Sequence, residues 1–435
     1  MATSAIALLD QTLPFGGGSD RLSKEIFSIL ESNFLFGVQQ TPELGACSAG
    51  RVRVLSIDGG ADGGALAAAA LVRLERRLQE LSGNPAARVA DYFDLAAGSG
   101  AGGFLAAALF ARRMTAEQAR DVVTKNRKVF SGRGGRGGGL FSSRPDAVFR
   151  KAFGDLAVRD AAKPLLIPCY DMTSGAPFVF SRADAVEAEA FDFPLWQVCA
   201  ASCGVGPAEV ASLDGRTRLR AAGAGSAGVA NPTAVAVTHV LHNKREFPFA
   251  AGAGDLVVLS LGGNAAASVH RASSSSSLMR IAGACQADMV RPRLILQHSL
   301  HGQNRTIVTY RWANRTVVVR ATFQVDQAVS MAFGENRATN YIRIQGNGIA
   351  PGATAEAAMA ERGVESVLFR GKKLMPETNG ERLNGVAEQL VQEQHRRMDS
   401  KTPVVLIKPS ATPRTSSSSA STLITVSTNS CSESP

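Results

Sequence analysis

The sequence predicts an α/β fold with a largely parallel central sheet, on three observations. Short apolar runs alternate with helix-like runs over residues 49–265. Strands separated by helices in this way lie parallel and are covered on both faces. Two strand-like runs end in glycine-packed turns that open helices: Ile57-Asp58-Gly59-Gly60-Ala61-Asp62-Gly63-Gly64 and Gly98-Ser99-Gly100-Ala101-Gly102-Gly103. A chain of 435 residues, 45% hydrophobic, is also long enough to bury a large core.

The elements follow in order. Residues 1–48 read as an N-terminal extension with one amphipathic piece, where Ser23 caps a helix carrying Ile26, Phe27, Ile29 and Leu30. Val52 to Ile57 reads as a strand, and Ala65 to Leu81 as a helix with Leu71, Leu74, Leu78 and Leu81 on one face. Tyr92 to Ala97 reads as a second strand and Phe104 to Arg112 as the helix after it. Thr115-Ala-Glu-Gln118 is a capping box opening a further helix. Leu165 to Tyr170, Phe178 to Phe180 and Leu256 to Leu261 are further strands. Residues 266–399 read as a C-terminal helical and mixed region, with helices over Asp326 to Phe333 and Gly385 to His395. From 400 to 435, Ser, Thr and Pro dominate, and such a tail lacks the apolar surface to order itself.

Composition narrows the class. No run of about 18 apolar residues marks a transmembrane helix, and Ala5 to Leu9 is too short for a signal sequence. Six cysteines show neither a disulfide framework nor metal-ligand spacing, which points to a reduced, cytoplasmic protein without metal or other cofactor. A net charge of +10 favours anionic surfaces, so the protein is cytoplasmic or peripheral at membranes. The Arg133 and Arg136 glycine loop lacks interleaved aromatics, so no nucleic-acid partner is expected.

The chemistry centres on the two glycine turns. The second has the form of a nucleophile elbow, G-x-S-x-G, over Gly98, Ser99, Gly100, Ala101 and Gly102, but glycine occupies the tip. Gly98, Gly100 and Gly103 also fit a dinucleotide fingerprint. Its acidic residue is missing, because Glu117 and Asp121 fall in the next helix. In the first turn, the backbone N–H groups of Gly59, Gly60 and Ala61 converge beside a helix N-terminus, with Ala101 opposite, as an oxyanion or anion nest. Histidines 239 and 242 lack the further ligands a metal needs.

At this point the chain resembles the patatin-like phospholipase family. The resemblance rests on Asp58-Gly59-Gly60-Ala61-Asp62-Gly63-Gly64, on Ala90-Asp91-Tyr92-Phe93-Asp94 before the elbow, and on Lys163-Pro164-Leu165-Leu166-Ile167-Pro168-Cys169-Tyr170-Asp171. Ala176-Pro177-Phe178-Val179-Phe180-Ser181 and Asn231-Pro232-Thr233-Ala234 extend it over roughly residues 20 to 395, in the manner of the plant members. The resemblance implies a three-layer α/β/α patatin-like fold and lipid acyl hydrolysis by a Ser/Asp dyad. It places the nucleophile at Gly100 and, counting back seven from Asn231, the aspartate at Ala224, so neither dyad residue is intact. Gly63 stands where the family has arginine. Asp288-Met289-Val290 and Asp326-Gln327-Ala328-Val329, nearly contiguous in the family, are here separated by 291–325, which reads as an insert outside the core.

The expected function is that of a lipid-binding member, weak or inactive as an acyl hydrolase on phospholipids or galactolipids. Two alternatives stand beside it: an active lipolytic enzyme with a non-family nucleophile such as Ser99, and a nucleotide binder of the Rossmann type.

Overall fold

The computed structural model describes residues 50–60, 62–131, 146–205, 209–223, 231–264, 325–346, 354–367, 371–400 and 403–408. The N-terminal extension, Ala61, Ala224 and the insert up to residue 324 lie outside these residues.

Strands β1 (Val52–Ile57), β2 (Leu95–Gly98), β3 (Leu165–Asp171) and β4 (Ala176–Ser181) form one side of the central sheet. After the small hairpin of β5 (Val210–Ala211) and β6 (Arg218–Leu219) come β7 (Ala221–Ala222), β8 (Leu256–Asn264) and β9 (Tyr341–Gly346). The sheet runs β4-β3-β2-β1-β8-β9, with β7 also on β3. Every pairing among β9, β8, β1, β2 and β3 is parallel, whereas β4 and β7 run antiparallel to β3.

Alternation along β1 makes the layers. Leu55 and Ile57 face one core with Leu71, Leu74 and Leu78 of the helix Ala65–Ser82 and Phe104 of the helix Ala101–Phe110. Val52 and Val54 face the other, with Ala236 and Val240 of the helix Thr233–His242 and Phe333 of the helix over 325–333. Helices on both faces of a mainly parallel sheet give the three-layer α/β/α architecture that the sequence predicts.

Four elements differ from expectation. The run from Tyr92 does not start as a strand: Val89–Tyr92 is one helical turn, and β2 begins at Leu95. Lys163 causes this, its Nζ donating to the carbonyls of Ala90 (2.6 Å) and Phe93 (2.8 Å) and so holding the chain in a bend. Burial lowers that amine to about 8. The elbow helix starts at Ala101 rather than Phe104, directly at the turn. The last long helix spans Asn379–Asp399, because Thr378 and Glu381 form a capping box ahead of the expected start at Gly385. Val404 is buried in the second core, and Leu406 N donates to the Glu246 carbonyl (2.8 Å), so 403–408 packs on the body despite its place in the Ser/Thr/Pro tail.

The central sheet continues beyond residue 265. β9 is the last strand of the central sheet, and Leu383, Val386 and Leu390 of the Asn379–Asp399 helix sit in the first core. An ion-pair latch seals that helix to the start of β1. Arg397 donates to both oxygens of Asp94 (2.7 and 2.6 Å), and the Arg53 backbone N–H donates to Asp94 Oδ2 (2.7 Å). Glu393 accepts from the Arg51 N–H (2.6 Å).

The latch generates a testable expectation. Burial pushes the Asp94 carboxyl up, but the Arg397 hydrogen bonds and the Arg53 and Arg397 charges outweigh it and hold it below its ordinary value. The unfolded chain therefore takes up this proton first as pH falls. Asp94 stabilises the fold above the unfolded value of about 4, and that contribution is lost as pH drops through the folded value. Arg397→Met should cost about 3 kcal/mol, by leaving Asp94 with one guanidinium. Urea unfolding at pH 7 and pH 3 checks both: the deficit should be large at pH 7 and shrink at pH 3.

Candidate functional site

The two glycine turns meet at the C-terminal ends of adjacent strands, where ligands gather in open α/β sheets. Ile57 of β1 pairs with Gly98 of β2, and Ser99 N donates to the Ile57 carbonyl (3.1 Å). The approach beyond this point leaves no room for side chains. A Cβ on Gly98 would lie 2.2 Å from the Gly102 carbonyl oxygen, and one on Gly102 would lie 2.2 Å from that of Ile57. Both positions demand glycine.

Gly100 is the tip of the elbow, at φ 54° and ψ −125°, and caps the helix Ala101–Phe110. A β-carbon there would stand 3.3 Å from the Gly59 Cα. Gly59 in turn faces the Ser99 carbonyl, and Gly64 faces the Ala101 side chain. Ser99 and Gly100 are thus brought against Gly59, Ala101 against Gly64, and Gly102 against the Ile57 and Asp58 carbonyls, while Gly98 packs on Gly102 within the elbow and Gly60 lies against Gly263. Ser202, last residue of the helix Leu195–Ser202, buttresses the elbow: its Oγ accepts from Gly100 N (2.9 Å) and donates to the Pro168 carbonyl (3.0 Å).

Asp62 completes the first turn. Its two oxygens accept from Gly64 N and Leu66 N, both at 3.1 Å, and so satisfy N–H groups at the start of the helix Ala65–Ser82. The sequence reading gave Asp62 no role; a carboxylate just ahead of a helix start is the signal that identifies it as a cap.

The nucleophilic groups near the elbow are all engaged or sheltered. Ser99 is fully buried, and Ser202 has both hydrogen bonds within the protein. Burial pushes the Cys199 and Cys203 thiols well above their ordinary value and raises Cys169 to about 12, which suppresses thiolate. His239 lies at the far end of the helix that Thr233 begins, beside Asn243 (3.3 Å) and Glu246 (3.9 Å). Asp214 closes the β5–β6 turn, accepting from Ser212 Oγ (2.7 Å) and Arg216 N (3.0 Å).

One group escaped sequence reasoning. Arg343 of β9 is 6% exposed and donates to both oxygens of Asp58, at 3.3 and 2.5 Å. Burial holds the Asp58 carboxyl above its ordinary value, against the Arg343 charge and hydrogen bonds; the two-pronged contact is a guanidinium fork on a carboxyl group. A lone arginine inside the apolar strand Tyr341-Ile342-Arg343-Ile344 was the available signal.

Two expectations follow from the turn geometry. Gly102→Ala should remove soluble, folded protein, because a methyl cannot coexist with the Ile57 carbonyl. Gly100→Ser should fold but lose about 1–3 kcal/mol to a positive φ, read as a lower Tm by differential scanning calorimetry.

A family model described as Patatin-like phospholipase matches residues 55–227, which span both glycine turns and reach Ala224. The chain is 44% identical to Patatin-like protein 3 of Oryza sativa subsp. indica, over 87% of this chain and 92% of that protein. It is 39% identical to Patatin-like protein 7 of Arabidopsis thaliana, over 90% of this chain and 85% of the relative. It is also 39% identical to a protein named Probable inactive patatin-like protein 9 of Arabidopsis thaliana, over 85% of this chain and 92% of the relative. With this elbow, this sheet and this extent of identity, the chain belongs to the patatin-like phospholipase family.

Proposed function

We propose that this chain binds lipid acyl esters, phospholipid or galactolipid, in the cleft between the two glycine turns and does not turn them over. The observation that carries this reading is Gly100. The elbow keeps its strained geometry and its contact with Gly59, but has no side chain with which to attack a carbonyl. Ala224 stands at the position that the family resemblance gives to the dyad aspartate. Losing the nucleophile of such a unit costs on the order of 10⁶ in rate, and what remains is binding and oxyanion stabilisation. The backbone N–H groups of Gly59, Gly60, Ala61 and Ala101 are the donors in this reading.

A non-family nucleophile has no support among the described residues, since Ser99, Cys169 and Cys199 are buried, Ser202 has both hydrogen bonds within the protein, and the raised Cys203 thiol suppresses thiolate. A nucleotide-binding reading lacks the acidic residue its fingerprint needs, because Glu117 and Asp121 both lie in the helix Ala116–Lys125. No helix among the described residues is long and apolar enough to cross a membrane. With a net charge of +10, the protein on this reading meets lipid from the cytoplasmic side, as a peripheral protein at an anionic surface.

Purified protein should sediment with phosphatidylcholine–phosphatidylglycerol vesicles, fail to react with a fluorophosphonate probe, and leave p-nitrophenyl esters intact. Gly100→Ser combined with Ala224→Asp should gain probe labelling where neither single change does. Stoichiometric labelling of the unmodified chain would overturn the inactive reading, and absence from the vesicle pellet would overturn lipid binding.

A further inference from the structure

We propose that Arg343 is a positioning residue for the candidate cleft: its fork on Asp58 aims the Gly59 and Gly60 amides. The proposal rests on the reading of that cleft as the lipid site, and goes beyond it by assigning the geometry of the turn to a residue outside the matched segment 55–227.

The strand register sets it up. Ser56 of β1 pairs with Ser260 of β8, and Ser260 with Arg343 of β9, so three polar residues stand in one row across three apolar strands. From β9 the guanidinium crosses β8 to reach the residue just past β1. It passes over Gly262, where a Cβ would lie 2.6 Å from Nη2, so only glycine leaves the path open. On the way Nη1 donates to Ser260 Oγ (2.7 Å), and Nε donates to Gln345 Oε1 (3.1 Å). Asp326 stands 3.9 Å from Nε and accepts from Tyr341 Oη (2.7 Å). The row continues beyond Ser260. Thr233 Oγ1 lies 3.0 Å from Ser260 Oγ and 2.8 Å from Ser56 Oγ, and donates to Asn231 Oδ1 (2.6 Å). Asp58, Ser260, Thr233 and Asn231 are each 4% exposed or less.

A planar fork gripping both oxygens of a carboxylate fixes orientation as well as distance, which a point charge does not. Stability alone is a weak reason to bury such a pair, because desolvation offsets much of its attraction. What the pair controls is local. Asp58 is the first residue past β1, its backbone N–H donates to the Leu261 carbonyl (2.8 Å), and Gly59 and Gly60 follow at once. Those glycines carry no side chains to anchor them, and glycine loses the most backbone freedom on ordering. Their amide directions are therefore imposed from outside. Asp58 is held by Arg343 on one side, and Asp62 is held by Gly64 N and Leu66 N on the other. Gly59, which faces Ser99 of the elbow, and Gly60, which faces Gly263, lie between two fixed carboxyl groups.

Hydrogen exchange of the full-length protein tests this, with binding to vesicles of equimolar phosphatidylcholine and phosphatidylglycerol as the second readout. Arg343→Gln should speed exchange across residues 58–64 by about tenfold while the strand 52–57 keeps its protection, and should weaken vesicle binding at least about threefold. Arg343→Lys should not restore either, because an ammonium cannot grip both oxygens. Should Arg343→Gln fail to fold, Asp58→Asn removes the same charged grip with one atom changed and should open the same segment. Unchanged exchange at 58–64 in the variant that folds overturns the proposal. So does faster exchange with undiminished vesicle binding, which would make the pair purely structural. If the unmodified protein ignores vesicles while the variants still open 58–64, the lipid reading fails and the positioning of the turn stands.

Discussion

The closeness of two backbones at the ends of β1 and β2 governs this molecule. Gly98 and Gly102 sit where a single added carbon would lie 2.2 Å from a carbonyl oxygen. That contact lets the helix Ala101–Phe110 start directly over the sheet and presses the elbow tip against Gly59. Fully buried Phe104 and Leu105 then fall on the first core with no connecting loop, and Ser202 is brought beneath Gly100. A side chain at Gly102 would strike the Ile57 carbonyl of β1, and one at Gly98 would strike the Gly102 carbonyl within the elbow, so in either case the helix could not start at Ala101 as it does.

A serine at an elbow tip is strained, and enzymes tolerate the strain because the geometry exposes the nucleophile. Glycine takes the same φ of 54° without steric cost. On the proposed reading, glycine at the tip removes the chemistry and relaxes the fold at once, so the architecture of the elbow persists with no reaction to sustain it. The N–H of Gly100 is satisfied by Ser202, and those of Gly64 and Leu66 by Asp62.

Both ends of β1 are secured by charges from the C-terminal third. Arg397 closes on Asp94 beside its first residues, and Arg343 closes on Asp58 just past its last. The matched segment 55–227 holds both turns, yet the strand beside them is pinned by residues far downstream. The chain thus behaves as one unit in which the downstream region is part of the site's frame.

Much of this was legible in the sequence. Local pattern was enough for the alternation of strands and helices, the two glycine turns, the capping box at Thr115 and the glycine at the elbow tip, because periodicity, capping and turn chemistry act over a few residues. Tertiary structure alone decided the rest. Tyr92 to Asp94 bends because Lys163, distant in sequence, takes its carbonyls, and Gly262 is small because an arginine passes over it. Asp58 meets Arg343 across 285 residues. A charge pair of that separation leaves no periodic trace, since each partner is an isolated polar residue in an apolar run until the sheet order β1-β8-β9 sets them two strands apart.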